Sequence, residues 1–163
     1  MVAATRKPRP RAPARLSLSV QYAAAAPPGQ APTRAQIRRW AGAALGDSAA
    51  VTVRIVAEPE GRELNRRFRG RDYATNVLTF SLEGAAAPEF AHCADIVLCA
   101  PVVEREADEQ HKRLEAHYAH LVVHGVLHMQ GYDHETESEA AVMEALESQI
   151  VMKLGYPDPY AAA

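Results

Sequence analysis

Four of the seven histidines fall at positions 117, 120, 124 and 128, at intervals of three and four that place them along one face of a helix. The run His124-Gly-Val-Leu-His128-Met-Gln-Gly131-Tyr-Asp-His134 gives this clustering a chemistry. Imidazoles four residues apart on a helix can both bond one ion at the ~2.0–2.1 Å of a zinc–nitrogen contact. Gly131 is placed to end that helix, because glycine enters the left-handed conformation without a Cβ penalty and lets His134 turn back to the same ion. Three neutral nitrogens leave a fourth position for water, which is the open arrangement of a catalytic zinc. Three core histidines at these offsets would each need a separate hydrogen-bond partner, whereas one metal satisfies them all. One zinc ion per chain is therefore expected on His124, His128 and His134. His92 and His111 read as ordinary core histidines; His117 and His120 share the helix face, and His120 reads equally as a supporting or helix-packing residue or as a participant in the site.

The spacing H-x-x-x-H-x-x-G-x-x-H is also that of metzincin peptidases, whose general base is a Glu directly after the first His. That position is Gly125 here, so the metal geometry is kept and the proton acceptor for peptide hydrolysis is missing. A second cluster has a different chemistry. Arg62, Arg66, Arg67, Arg69 and Arg71 lie within ten residues that hold one acid, Glu63. Guanidinium groups donate in pairs to phosphate oxygens, and beside a metal they stabilise charge developing on a phosphoryl group. Arg62 and Arg66 also fit a solvated helix face, while Arg69 stands at the helix end before the loop that feeds a strand. Arg69 is the expected catalytic arginine, and Arg66, Arg67 and Arg71 are expected nucleic-acid contacts.

These residues need a frame to hold them. With 163 residues, 48% hydrophobic and 23% charged, the chain has the composition of one globular domain. Residues 1–15 read as a disordered basic tail and 16–163 as a single domain. Leu16, Leu18, Val20 and Tyr22 alternate with polar residues as a strand, and a Pro-Pro-Gly turn follows at Pro27–Gly29. Thr33 is placed to cap a helix ending at Gly46, and Val51, Val53 and Ile55 form a second strand. Pro59 opens a short helix closed by Gly70, and residues 77–82 and 95–99 are β-rich. One long helix is expected over 104–129 and another over 136–154, with Val142, Leu146, Ile150 and Leu154 facing inward. The order implies an α+β fold: a small, partly parallel mixed sheet of about four strands packed with helices, the long C-terminal helices carrying the metal site. If Cys93 and Cys99 share one extended segment, about 20 Å separates them, so they read as reduced thiols. No stretch approaches the ~18 apolar residues of a membrane span and no secretory signal is visible, so a cytoplasmic location is expected.

The segments HGVLHMQGYDH, FRGRDYATNVLTFSLE and ADIVLCA, with LEAHYAHLVV before the triad and LGYPDPY at the close, resemble the signature motifs of the YbeY family over residues 16–160. That family comprises single-strand-specific, metal-dependent endoribonucleases of ribosomal RNA maturation. The resemblance implies zinc on His124, His128 and His134, a functional arginine at Arg69, and a mixed four-stranded sheet. It also implies action on the 3′ end of small-subunit ribosomal RNA and a part in ribosome quality control. Expected partners are thus single-stranded and ribosomal RNA, with proteins of the small ribosomal subunit as candidates; no DNA or membrane partner is expected. Two positions depart from the family pattern: Ser81 stands where many members have proline, and Ala94 where glycine is usual.

On this reading the metal polarises a phosphate oxygen or activates water, and Arg69 neutralises the oxyanion. The general base is unassigned; Asp133 and Glu135 flank the third ligand and fit either support of the site or a solvated role. Phe68, Tyr73 and Tyr132 are candidates to stack on bases. Two rivals stand beside it, a metallopeptidase and a non-enzymatic RNA-docking module with a structural zinc. The net charge of −2 is a cancellation: residues 1–46 carry eight basic groups and no acid, while residues 101–163 carry four basic groups against twelve acids. Such segregation suits a basic surface that leads RNA phosphates toward the histidines.

Overall fold

The computed structural model describes residues 13–23, 30–82 and 89–161. The first twelve residues of the basic tail and the Pro27–Gly29 turn lie outside these. Four strands and five helices follow in the order β1 (Leu16–Tyr22), α1 (Arg34–Ala44), β2 (Ala49–Val56), α2 (Glu58–Arg69), β3 (Val77–Ser81), β4 (His92–Cys99), α3 (Ala100–Glu109), α4 (Leu114–Met129) and α5 (Glu137–Lys153). The sheet order is β1-β2-β4-β3. β1, β2 and β4 are parallel, and β3 runs antiparallel to β4. The expected mixed four-stranded α+β architecture is what the chain forms.

Strand alternation decides which helices cover which face. Val51, Val53, Ile55, Ala94, Ile96 and Leu98 enter one core with Ile37 and Trp40 of α1 and with the apolar residues of α4. Val56, Val97 and Cys99 turn to the other face, where they join Leu64 of α2 and Val102 of α3. Thr33 caps α1 as expected, in a reciprocal box with Gln36. The helix ends at Ala44 with Leu45 extended, one residue before Gly46. Gly46 N–H instead donates to Gln130 Oε1 at 2.6 Å, and Gln130 Nε2 donates to Ala44 O at 2.8 Å. The end of α1 is thereby sewn to the end of α4. Along the outer edge of β1, Arg34 and Arg38 of α1 donate to the carbonyls of Val20 and Leu16, which blunts an edge that would otherwise pair with another chain. Both cysteines lie on β4 and are free thiols, Cys93 half-buried and Cys99 buried.

Two expectations about the C-terminal helices are corrected. The single helix expected over 104–129 is two, α3 and α4, and the first begins four residues earlier at Ala100 with Pro101 in its first turn. The break falls at His111, which takes φ 53°, a left-handed conformation that interrupts the helical ladder without glycine or proline. Lys112 then anchors the turn by donating Nζ to Pro159 O at 2.9 Å. In α5, which Thr136 caps, the innermost stripe is Met143, Glu147 and Val151, one position past the expected one. Leu146, Ile150 and Leu154 pack at its margin, and Val142 is exposed.

The α3–α4 junction carries a pH-sensitive contact. His117 is 4% exposed and its Nε2 lies 3.0 Å from Glu106 Oε1, while its Nδ1 has no partner among the described residues. Burial pushes the imidazole below its ordinary value, more than the Glu106 carboxylate raises it. The folded chain therefore favours neutral His117, and this contribution is full above the unfolded value of about 6.5 and lost as pH falls below it. Urea midpoints should fall between about pH 7.5 and about pH 5.5, and fall less in a His117→Gln chain. Equal slopes for the two chains would refute the assignment.

Candidate active site

α4 carries His124 and His128 one turn apart, and their rings lie nearly parallel, with 2° between planes and 6.5 Å between centroids. The helix stops at Met129, and Gly131 takes φ 101°, a conformation in which a side chain would be strained. This reversal brings His134 back, with its ring 5.6 Å from that of His124 and 6.2 Å from that of His128. The rings of the three histidines thus lie within 6.5 Å of one another. Among the described residues, no three His, Cys, Asp or Glu side chains are drawn in to metal-ligand spacing.

What the rings do with their second nitrogens bears directly on whether a metal fits. His128 Nδ1 lies 3.0 Å from Tyr132 O, a carbonyl that only accepts, so this nitrogen carries the proton. His124 Nδ1 lies 2.5 Å from Glu147 Oε1. Both bonds leave Nε2 with its lone pair free, the tautomer a zinc ligand requires. Glu147 is 1% exposed and also accepts from His120 Nε2 at 3.1 Å and from the Tyr160 hydroxyl. Burial alone would raise its carboxyl, but the hydrogen bonds from His120, His124 and Tyr160 prevail and hold it at about 2. A buried carboxylate therefore orients His124 in its ionised form.

Sequence reading missed Glu147. Its signal is a Glu at the centre of a buried helical stripe, four residues from both Met143 and Val151. Asp133 and Glu135 have other places: Asp133 Oδ1 accepts the His134 backbone N–H at 2.7 Å, and both line the cleft in front of the rings. His120 does not line the cleft; its Nε2 reaches the Glu147 carboxylate that holds His124, so it supports the histidines rather than joining them.

That cleft has a volume of about 680 Å³ and is walled by His124, His128 and His134 on one side and by residues 75–79 with Arg69, Arg71 and Tyr73 on the other. Gly70, at φ 70°, ends α2 and sets Arg69 and Arg71 at the cleft mouth. Arg69 Nη2 donates to Thr79 O at 3.1 Å, and Arg71 Nη1 to the Tyr73 hydroxyl at 3.2 Å. The remaining arginines lie elsewhere. Arg62 is bidentate on Asp72, Arg66 pairs with Glu63 at 2.8 Å, and Arg67 lies over the Phe68 ring. Phe68, Tyr73 and Tyr132 are all exposed.

Gly125, which stands where a metzincin peptidase carries its carboxylate, is closely packed against the sheet. A Cβ there would sit 3.0 Å from Ile96 Cδ1, 3.1 Å from Ile96 Cγ2 and 3.3 Å from Thr79 Oγ1. A side chain after His124 would require Ile96 and Thr79 to yield by a few tenths of an ångström.

A sheet-backed helix that presents three histidines to a cleft edged with arginine defines a candidate metal-assisted phosphodiester hydrolase. The comparisons with known proteins give that class its family. The family model described as Endoribonuclease YbeY matches residues 32–155. The chain is 56% identical over 151 residues to Endoribonuclease YbeY of Aromatoleum aromaticum, covering 92% of this chain and 96% of the relative. It is also 56% identical over 148 residues to Endoribonuclease YbeY of Methylobacillus flagellatus, covering 91% and 95%. A solution structure of a protein from Thermotoga maritima is similar with a TM-score of 0.49 at 25% identity, over 89% of this chain and 99% of that one. The chain belongs to the YbeY family of endoribonucleases.

Proposed function

We propose that this chain is a zinc-dependent endoribonuclease that cuts single-stranded RNA, acting in 3′-end maturation of small-subunit ribosomal RNA and in ribosome quality control in the cytoplasm. The observation that carries the reading is the convergence of His124, His128 and His134 on the cleft that Arg69 and Arg71 border. Three imidazoles on one zinc put ring centroids about 5 Å apart, so the rings at 5.6–6.5 Å need to close by about an ångström. Zinc so held supplies Lewis acidity toward a phosphate oxygen and lowers the pKa of a bound water. Glu147 and the Tyr132 carbonyl keep two ring protons on Nδ1, away from the metal. Arg69 meets the charge that develops on the phosphoryl oxygens, and Arg71 binds the neighbouring phosphate. Among the described residues no helix is long and apolar enough to cross a membrane.

The test is cleavage of one RNA in single-stranded and duplex form, by protein treated with chelator and by protein reloaded with zinc. Cleavage of the single strand alone, lost on chelation with circular dichroism unchanged and restored by zinc, is expected. Cleavage indifferent to metal would overturn the metal reading, and unfolding on chelation would make the ion structural. A Glu147→Gln chain should keep its fold and bind zinc 10–100-fold more weakly, roughly the cost of losing an outer partner of a ligating histidine. Competition against a chromophoric chelator measures this; unchanged affinity would remove Glu147 from the site.

A further inference from the structure

β3 is an edge strand, and its register with β4 fixes the direction of its backbone groups. Cys99 N–H donates to Asn76 O at 3.0 Å, and Leu82 N–H to Cys93 O at 2.8 Å. Even-numbered residues from 76 to 82 therefore exchange hydrogen bonds with β4, and the residues between them turn N–H and C=O outward. Those are Val77, Thr79 and Ser81, opposite Leu98, Ile96 and Ala94. Arg69 reports the same direction, since it reaches Thr79 O from the outer side. With that carbonyl taken, the C=O of Val77 and the N–H of Thr79, which bond no other group among the described residues, remain as a neighbouring acceptor and donor on residues that line the histidine cleft.

Resting on the RNA-cleaving reading above, we propose that Val77 C=O and Thr79 N–H together hydrogen-bond the Watson–Crick edge of an unpaired nucleobase next to the scissile phosphate. Adenine and cytosine carry an exocyclic amine beside a ring nitrogen; the amine donates to Val77 O and the ring nitrogen accepts from Thr79 N–H. In a duplex that edge is already engaged, so the same pair of groups rejects paired RNA. An extended peptide is the other occupant a strand edge admits. It fits less well: a peptide strand needs both the N–H and the C=O of an outward residue, and Arg69 holds the Thr79 carbonyl. Arg69 and Arg71 at the mouth of the cleft also favour a polyanion.

The experiment uses the zinc-loaded full chain and a single-stranded RNA substituted one position at a time around the cleaved bond. N1-methyladenosine and N6,N6-dimethyladenosine block the Watson–Crick edge, while 7-deazaadenosine alters only the opposite edge. Blocking is expected to lower kcat/KM about tenfold or more at one position beside the cut, with 7-deazaadenosine there cleaved normally. A Thr79→Pro chain, which loses an N–H the sheet does not use, should cleave unmodified RNA about tenfold more slowly and be indifferent to the blocked base. Unchanged cleavage by the wild-type chain of every blocked substrate would overturn the inference while leaving the RNA reading intact. Inhibition by an extended peptide as strong as by RNA would also overturn it. No cleavage of unmodified RNA would mean that the underlying function, and the inference with it, is wrong.

Discussion

A His128→Ala chain should fold normally, bind no zinc at stoichiometric concentration, and lose RNA cleavage by a factor on the order of 10³ or more, the scale set by removing a preorganised stabiliser of transition-state charge. The fold should survive because His128 stands outside both hydrophobic cores, so its truncation opens no cavity among them. The reversal after α4 should survive too. It is held by the N–H groups of Gln130, Gly131 and Tyr132 on carbonyls of α4, and by Gln130 on the end of α1. What disappears is one of three nitrogens, the one whose proton the Tyr132 carbonyl fixes on the far side of the ring. Metal analysis, circular dichroism and cleavage of a labelled single strand check the three parts separately. A His128→Ala chain that cleaves at the wild-type rate would sink the metal-centred mechanism outright.

The second large effect belongs to Arg69. Arg69→Glu should lower kcat by about 10²–10³, the scale of losing one donor to a developing oxyanion, with zinc content unchanged. Arg69 is an exposed residue that lines the cleft; its guanidinium sits over the Phe80 ring at 5.9 Å from its centroid and spends one nitrogen on Thr79 O. Arg62→Glu is the matched control, because Arg62 is bidentate on Asp72 and does not line the cleft. It should change cleavage only through the general field, an effect that salt screens. Arg69→Lys keeps the charge and loses the fork, so an intermediate rate is expected. Equal losses from Arg62→Glu and Arg69→Glu would show that charge density matters rather than position.

The parts of this molecule that were legible in the sequence are those where one residue type answers one local demand. Thr33 caps a helix, Gly70 and Gly131 end helices, and the i, i+4, i+10 histidines come near one another because the turn at Gly131 permits it. The parts that were not legible depend on partners distant in the chain. His111 adopts a left-handed backbone with no glycine to announce it, in a turn whose next residue is pinned by Pro159, so the helix break at 110–113 carries no local mark. In α5 a functional carboxylate occupies the centre of the buried stripe, and hydrophobic patterning slid to the neighbouring row of Val142, Leu146 and Ile150. A site residue that breaks the pattern around it defeats a reading built on pattern. The arginine run shows the same limit: which guanidinium groups are already paired depends on Glu63 and Asp72 being brought within reach by the turn of α2 and the loop beyond it.

The bracing of His124 also sets an order in time. A chain emerges from the ribosome N-terminus first, so the triad at 124, 128 and 134 is exposed before Glu147 has been added, and Glu147 before Tyr160 locks onto it. Until then, the first histidine has no carboxylate to fix its ring, and the carboxylate has no hydroxyl to fix it in turn. The three histidines are therefore made before the groups that brace the first of them, and His124 gains its full support only once residue 160 has joined the fold.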